Sequence, residues 1–173
     1  MGKLNAQEGL PAISPAAVQY GALPYRFTAA GTLEVLLITT KRSKRWIIPK
    51  GDPIKGLRPP KSAAREAFEE AGIRGSIAEK SIGSFRFQKT LEGAPNQLCD
   101  VKLYPLNVKQ QMKDWPEASH RSVRWFAPAE AQAAVNDVGL QTLIGRFVEK
   151  MSSKAGLRRK AMVKAELSSE LSG

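Results

Sequence analysis

The sequence predicts an α+β fold, an α/β/α sandwich in which a mixed β-sheet lies between helices. Alternating and β-branched segments come first, an alanine-rich helix follows them, and further strands and helices complete the order. The chain has 173 residues, of which 42% are hydrophobic, and this suits one domain with a single core. We divide it into an N-terminal arm (residues 1–18), a folded domain (19–152) and a basic C-terminal tail (153–173).

The N-terminal half begins with a loose arm, since residues 1–18 are small, polar and interrupted by prolines. Residues 20–29 and 33–41 read as two strands, and the "AGT" between them predicts a hairpin. The segment "RWIIP" is a short apolar strand that ends at Pro49. Residues 50–60 are rich in glycine, proline and lysine, which predicts a loop.

A helix follows, from about Pro59 to Gly72, because proline suits a first helical turn and glycine ends a helix well. Residues 81–91 and 97–108 are predicted strands joined by the turn-rich "EGAPN", and "HRSVRWFA" is a further short strand. Two helices are expected at residues 128–137 and 139–151, with Gly139 between them. The tail is only weakly periodic, which predicts either a frayed helix or a disordered segment.

The net charge of +11 is concentrated in two segments. Residues 41–61 hold eight basic residues against Asp52 alone, a net charge of +7. Residues 150–173 hold six basic and two acidic residues, a net charge of +4. A concentration of this kind indicates either a polyanionic partner or a solvated basic loop.

Cysteine content and hydropathy indicate the class of protein. The single cysteine, Cys99, excludes an intrachain disulfide and argues against a cysteine-based zinc site. No apolar run is long enough for a membrane span, and the first twenty residues do not resemble a secretory signal. We therefore expect a cytoplasmic protein without a membrane partner.

The predicted helix carries an unusual acidic turn. Glu66, Glu69 and Glu70 have spacings of three and four residues, so all three project to one side. Like charges at this spacing destabilise an isolated helix, and Arg65 offsets only part of that cost. The arrangement is better explained by a hard divalent cation, since Mg²⁺ is usually held by one or two carboxylates together with substrate phosphates.

From Gly51 the sequence reads "GDPIKGLRPPKSAAREAFEEAGI", which resembles the Nudix box G-x5-E-x7-R-E-U-x-E-E-x-G-U, where U is a bulky aliphatic residue. The matching positions are Gly51, Arg65, Glu66, Glu69, Glu70, Gly72 and Ile73. Two positions depart from the pattern: Leu57 stands where the box has its first glutamate, and Ala67 is smaller than the usual aliphatic. The first departure leaves the metal geometry open and makes the loop more positive.

The segments "RWIIPKG", "AAREAFEEAGIRG" and "WPEASHRSVRWF" are similar to those of Nudix enzymes that act on diphosphoinositol and dinucleoside polyphosphates. The resemblance covers about residues 20–150. It implies the Nudix fold and Mg²⁺- or Mn²⁺-assisted attack of water on phosphorus.

By this resemblance, Glu66 and Glu70 are the expected metal ligands, and Glu69 is either the general base or a further ligand. Arg65 is expected to hold a glutamate in place, and the Lys50–Gly51 backbone to offer a carbonyl to the metal. Glu117 is a candidate for an extra ligand or an alternative base, or else a plain loop carboxylate.

The basic segment suggests the substrate class, a small-molecule polyphosphate. The residues expected to contact its phosphates beyond the metal are Arg42, Arg45, Lys50, Gly51 and Lys55. Arg26 is either a further phosphate contact or an ordinary surface residue of its strand. A dinucleoside polyphosphate would require an aromatic clamp for adenine, for which the candidates are Trp46, Phe85, Phe87 and Tyr104.

Two other functions remain open from the sequence. The basic tail favours an RNA 5′-pyrophosphohydrolase, because lysine and arginine clusters contact phosphates, although no aromatic-interleaved RNA motif accompanies it. Leu57 favours a non-catalytic module that binds a phosphorylated ligand, but the intact Glu66, Glu69 and Glu70 argue against that function.

Overall fold

An eight-stranded mixed sheet forms the centre of residues 15–170, the part of the chain that this computed structural model describes. The strands are β1 (Ala17–Phe27), β2 (Leu33–Thr39), β3 (Trp46–Ile47), β4 (Lys50–Gly51), β5 (Ile73–Ile77), β6 (Gly83–Lys89), β7 (Gln97–Gln111) and β8 (Val123–Phe126). The main path runs β3-β2-β1-β7-β5, with β4 beside β1, β6 beside β7 and β8 beside β2. Strands β1 and β7 are parallel and the other pairs are antiparallel, so the predicted mixed sheet is confirmed.

Helices cover both faces of this sheet. Helix α1 (Pro59–Ala71) packs on one face, and α2 (Pro128–Ala134) and α3 (Val138–Glu170) pack on the other. Successive residues of β1, Ala22 and Leu23, belong to the two opposite hydrophobic clusters, because side chains alternate across a strand. The predicted α/β/α sandwich is therefore confirmed.

Helix α1 has the bounds that the sequence predicts. Pro59 occupies the first turn, where its missing N–H costs nothing, and Gly72 ends the helix with a left-handed φ of 66°. The Gly72 N–H donates to the Phe68 carbonyl at 2.9 Å. A side chain at Gly72 would also collide with the Trp115 ring, because a Cβ placed there would stand only 2.7 Å from it.

Both predicted hairpins are present. Strands β1 and β2 pair antiparallel with Arg26 opposite Glu34, and β6 and β7 pair antiparallel with Phe85 opposite Val101. The structure corrects the sequence prediction elsewhere. Lys50 and Gly51, expected in a loop, form β4 against β1, and β5 is a strand that the sequence analysis missed. Gly139 lies inside α3 rather than between two helices.

The ends of the domain also differ from the prediction. Strand β1 begins at Ala17, inside the predicted arm, while residues 1–14 lie outside the described range. Helix α3 continues through Glu170, so the described part of the tail is helical rather than disordered, and its side chains from Ser152 onward are all exposed. Despite their lengths, none of the helices within residues 15–170 has an apolar stretch sufficient to cross a membrane.

Candidate active site

The acidic turn of α1 lies against the sheet because the opposite side of the helix is small. Ala63, Ala67 and Ala71 are fully buried in the cluster between α1 and the sheet. Alanine allows the helix backbone to approach the strands closely, which accounts for the small residue at position 67. Glu70 is consequently 8% exposed, while Glu66 and Glu69 remain partly accessible.

Glu66 lies directly against the backbone of Gly51. A Cβ added at Gly51 would stand 2.3 Å from the Glu66 carboxyl carbon, so only glycine permits this approach. Partial burial and the neighbouring carboxylates of Glu69, Glu117 and Asp52 raise the pKa of Glu66. Burial is the largest of these causes and Arg121 opposes them, but the three further carboxylates near Glu66 form a concentration of negative charge that suits a cation.

Glu70 joins the helix to the sheet. Its Oε2 accepts a hydrogen bond of 3.0 Å from the backbone N–H of Lys50, and its Oε1 accepts one from Arg121 Nη2. Burial nevertheless raises the pKa of Glu70 to about 7, because it outweighs the opposing effects of Arg121 and the Lys50 N–H.

Arg121 is the site residue that the sequence analysis missed. Its side chain is only 11% exposed, and it donates to Glu70, to Glu117 Oε2 at 2.5 Å and to the Thr39 carbonyl at 3.0 Å. A signal was available, since Glu117 and Arg121 form an opposite-charge pair four residues apart. The contacts with Glu70 and Thr39, however, are made across 51 and 82 positions of the chain.

The loop before β8 places Glu117 beside helix α1. Its backbone N–H donates to the Glu69 carbonyl at 3.1 Å. Lys41 binds its Oε1 at 2.5 Å while Arg121 binds Oε2. Burial alone would raise the pKa of Glu117, but Lys41 and Arg121 outweigh it and lower that pKa. The carboxylate therefore stays ionised, and both of its oxygens are bound by these cations. This favours a structural ion pair over a free base for Glu117.

The predicted role of Arg65 is not what the structure shows. Arg65 is exposed and forms no ion pair within residues 15–170. The arginine that contacts a box glutamate is Arg121 instead. Leu57, at the position of the missing glutamate, is 39% exposed in a turn in which its N–H donates to the Ile54 carbonyl.

A cleft of about 880 Å³ opens beside Glu70 and Arg121. Seven basic and two acidic residues line it: Lys41, Arg42, Arg45, Lys50, Arg86, Lys89 and Arg121, with Glu70 and Asp137. The β2–β3 loop supplies three of the cations and β6 supplies two. The cleft is therefore a predominantly basic space that reaches Glu70, the one glutamate of the acidic turn among its lining residues.

The structure brings together part of the predicted phosphate-binding set. Arg42, Arg45 and Lys50 line the cleft, and Gly51 lies beside Glu66. Arg26 and Lys55 are not among the cleft-lining residues. Arg26 is paired with Glu34 at 2.7 Å and its guanidinium lies 4.0 Å from the centre of the Trp125 ring, which supports the ordinary surface interpretation.

Lys50 lines the cleft, and its amino group has a shifted pKa. Burial lowers the pKa of Lys50 to about 8, against the opposing effect of Glu70. Its Nζ donates to Gln19 Oε1 at 3.1 Å and lies 3.8 Å from the centre of the Phe87 ring.

The donor set fits a divalent metal that is shared with a substrate. Within residues 15–170, no three acidic, histidine or cysteine side chains converge closely enough for an all-protein metal cage. Mg²⁺ does not require one, because it retains waters and takes ligands from substrate phosphates. Glu66 is partly buried beside three other carboxylates, and it and Glu70 lie on the same side of α1.

Replacing Gly51 by alanine is expected to leave the protein folded. It should lower kcat/KM at least tenfold for the metal-assisted hydrolysis that the sequence resemblance implies. The new methyl group displaces the Glu66 carboxylate, which is the flexible end of a side chain and can move without unfolding the core. Steady-state kinetics and a thermal melt measure the two effects. Gly156→Ala is the matched control, because nothing lies within 4 Å of its Cβ position. Equal activity of the Gly51 variant and the wild type would contradict the prediction.

Comparisons with known proteins find a matching family model and several similar proteins. The family model described as the NUDIX domain matches residues 20–144. Nudix hydrolase 12, mitochondrial, of Arabidopsis thaliana is 28% identical over 153 residues, which cover 80% of this chain and 75% of that protein. Diphosphoinositol polyphosphate phosphohydrolase 3-beta of Bos taurus is 32% identical over 101 residues, which cover 57% of each chain.

Among solved structures, a C. elegans Ap4A hydrolase binary complex has a TM-score of 0.61 and 22% identity. The match covers 80% of this chain and 99% of that one. At this identity the likeness concerns the fold alone.

Proposed function

The chain belongs to the Nudix hydrolase family, whose members act on pyrophosphate bonds, and we propose that its substrate is a diphosphoinositol polyphosphate. The observation that carries the proposal is the cleft itself, in which seven cations surround Glu70 of α1. The name of the bovine relative, which matches 57% of this chain, supports the same substrate class. A dinucleoside polyphosphate is the second candidate.

The number and placement of the cations favour a ligand with many phosphates. Arg42 and Arg45 lie on the β2–β3 loop, while Arg86 and Lys89 lie on β6, and all four line the cleft. Arg42, Arg86 and Lys89 each form an exposed ion pair with a carboxylate, and such pairs are weak enough for a multiply charged phosphate ligand to displace. Charge-assisted hydrogen bonds are stronger than neutral ones and suit phosphate oxygens well. A compact ring with phosphates on several sides engages both segments at once, whereas a linear nucleotide presents its phosphates along one line.

Three of the aromatic candidates, Trp46, Phe85 and Phe87, line the cleft, but each already packs against another part of the protein. Phe85 is 3% exposed and lies in the core, and Tyr104 is 4% exposed in the cluster on the other face of the sheet. Trp46 packs edge-on against Phe126, with ring centres 5.0 Å apart. The ring of Phe87 is covered by Lys50. This arrangement supports the inositol substrate over the dinucleoside one.

The chemistry we propose uses the three carboxylates of α1. Hydrolases of this family use divalent metal ions, and we propose Mg²⁺ or Mn²⁺ held by Glu66 and Glu70, with the Lys50 or Gly51 carbonyl as a further donor. The metal neutralises phosphate charge and activates water. Glu69 is the remaining box carboxylate and is proposed as the general base or an additional ligand. Arg121 keeps Glu70 in position on the cleft side.

A substrate panel tests this proposal. We expect kcat/KM for a diphosphoinositol polyphosphate to exceed the values for diadenosine polyphosphates, ADP-ribose, nucleoside triphosphates and triphosphorylated RNA by at least tenfold, and to require Mg²⁺ or Mn²⁺. Glu69→Gln should lower it by about 10² to 10⁴, the effect of general acid–base catalysis. Glu130→Gln, an exposed residue of α2, is the control. Preferential turnover of a diadenosine polyphosphate would select the second candidate, and turnover of RNA alone would reject both.

A further inference from the structure

We propose that helix α3 carries a second phosphate-binding surface, outside the cleft, which docks a nucleic-acid strand by its backbone. Between Val138 and Ala165 the helix holds seven basic residues and one acidic residue, Glu149. Four of the basic residues follow one another at intervals of four: Arg146, Lys150, Lys154 and Arg158. We call these four the basic row. The inference is independent of the substrate assigned to the cleft.

The geometry of the helix makes the basic row a linear feature. Successive members are about 6 Å apart along the axis and turned by about 40°, so the row spans about 18 Å on one side of α3. All four side chains are exposed, and none forms an ion pair within the described part of the chain. Glu149 flanks the row near Arg146 and Lys150 without interrupting it.

The length of the basic row argues against a small ligand. Leu140 lines the cleft, and Arg146 lies about 9 Å further along the helix, so the row leads away from the cleft. A polyphosphate small enough to fill the cleft does not also reach four cations spread over about 18 Å. A phosphodiester strand carries one charge per nucleotide along its whole length and contacts the row without sequence specificity.

The distribution of apolar residues argues against a membrane surface. The large apolar residues exposed on α3 beyond Ser152 are Leu157, Met162, Val163 and Leu167. At about 100° per residue, Val163 and Leu167 share one side of the helix. Lys160 and Lys164 lie on that same side, between Leu167 and Leu157, and Met162 is turned about 100° away from Val163. Interfacial helices need a single apolar face to enter the lipid, and α3 does not offer one beyond Ser152. Charge without such a face favours nucleic acid.

Fluorescence anisotropy with a 20-nucleotide single-stranded RNA tests the proposal, with the intact protein. The variant changes all four residues of the basic row to glutamine, a good helix former. We expect it to bind at least tenfold more weakly at 50 mM salt. Its plot of log affinity against log salt should be shallower by about 3, since each phosphate contact on a single strand contributes about 0.7. Hydrolysis of the small-molecule substrate and the far-UV circular dichroism spectrum should remain unchanged.

The matched control changes four exposed lysines elsewhere to glutamine: Lys80, Lys102, Lys109 and Lys113. It should retain at least half of the wild-type affinity. An equal loss in the control, or no binding by the wild type, would show that the row is not a specific surface.

The RNA is supplied with either a 5′-hydroxyl or a 5′-triphosphate. Binding that depends on the triphosphate would place the RNA in the cleft and overturn the proposal, as would row-dependent binding to phosphatidylserine vesicles that exceeds binding to RNA.

Discussion

Replacing Arg121 by methionine should lower the free energy of unfolding by about 3 to 5 kcal/mol, the cost of removing one partner from a buried ion pair. Arg121 and Glu70 have side-chain exposures of 11% and 10%, and the substitution leaves the Glu70 charge without its partner. Glu117 is affected less, since Lys41 still binds its second oxygen. In a domain of this size the melting temperature should fall by about 6 to 20 °C.

The same variant should respond unusually to metal. A divalent ion at Glu70 replaces part of the missing positive charge, so we expect added Mg²⁺ to stabilise the Arg121→Met protein more than the wild type. Differential scanning calorimetry with EDTA and with Mg²⁺ measures this difference. Arg124→Met is the control, because Arg124 is exposed on β8 and lies 3.9 Å from Glu130. Equal destabilisation of the two variants would show that the Arg121 contacts contribute little.

Replacing Glu66 by glutamine should abolish most activity and yet stabilise the protein in the absence of metal. The pKa of Glu66 is raised by burial and by three neighbouring carboxylates, so its charged form is unfavourable in the folded protein. Glutamine removes that charge at nearly constant volume. We expect kcat/KM to fall by about 10² to 10⁴, because a lost metal ligand costs several kcal/mol in the transition state.

The opposite signs of the two effects make this prediction specific. In EDTA the Glu66→Gln melting temperature should exceed that of the wild type, and in Mg²⁺ the order should reverse or the gap should close. Glu79→Gln is the matched control, since Glu79 is exposed and pairs with Arg58. It should leave both activity and metal response unchanged. A Glu66 variant that is less stable in EDTA would show that its carboxylate stabilises the fold.

Features that depend on neighbours along the chain could be predicted from the sequence. Proline at the start and glycine at the end set the bounds of α1, since both act through their own backbone conformation. Helical spacing then placed Glu66, Glu69 and Glu70 on one side. The hairpin between β1 and β2 followed from alternation and a short turn, and the family followed from the spacing of the box.

Weak local signals left one strand unpredicted and the conformation of the tail undecided. Strand β5 is only five residues long and contains a glycine, and it forms because β7 offers an edge for pairing. The tail has almost no single apolar face, so periodicity could not distinguish a solvated helix from disorder. Arg65 was expected to hold a glutamate because the resemblance carries that role to its position, but its side chain is exposed and forms no ion pair within residues 15–170.

The residues that complete the site could be identified only after the chain was folded. Strand β8 pairs with β2, and the Ser122 N–H donates to Thr39 Oγ1 at 2.9 Å, which carries the adjacent Arg121 to Glu70 on α1. The pairing of β4 with β1 places Gly51 in the strand against which Glu66 lies. Local patterns fix backbone conformation and the side of an element that is buried. Contacts across 51 or 82 positions depend instead on which strands become neighbours, and the packing of the whole sheet selects those neighbours.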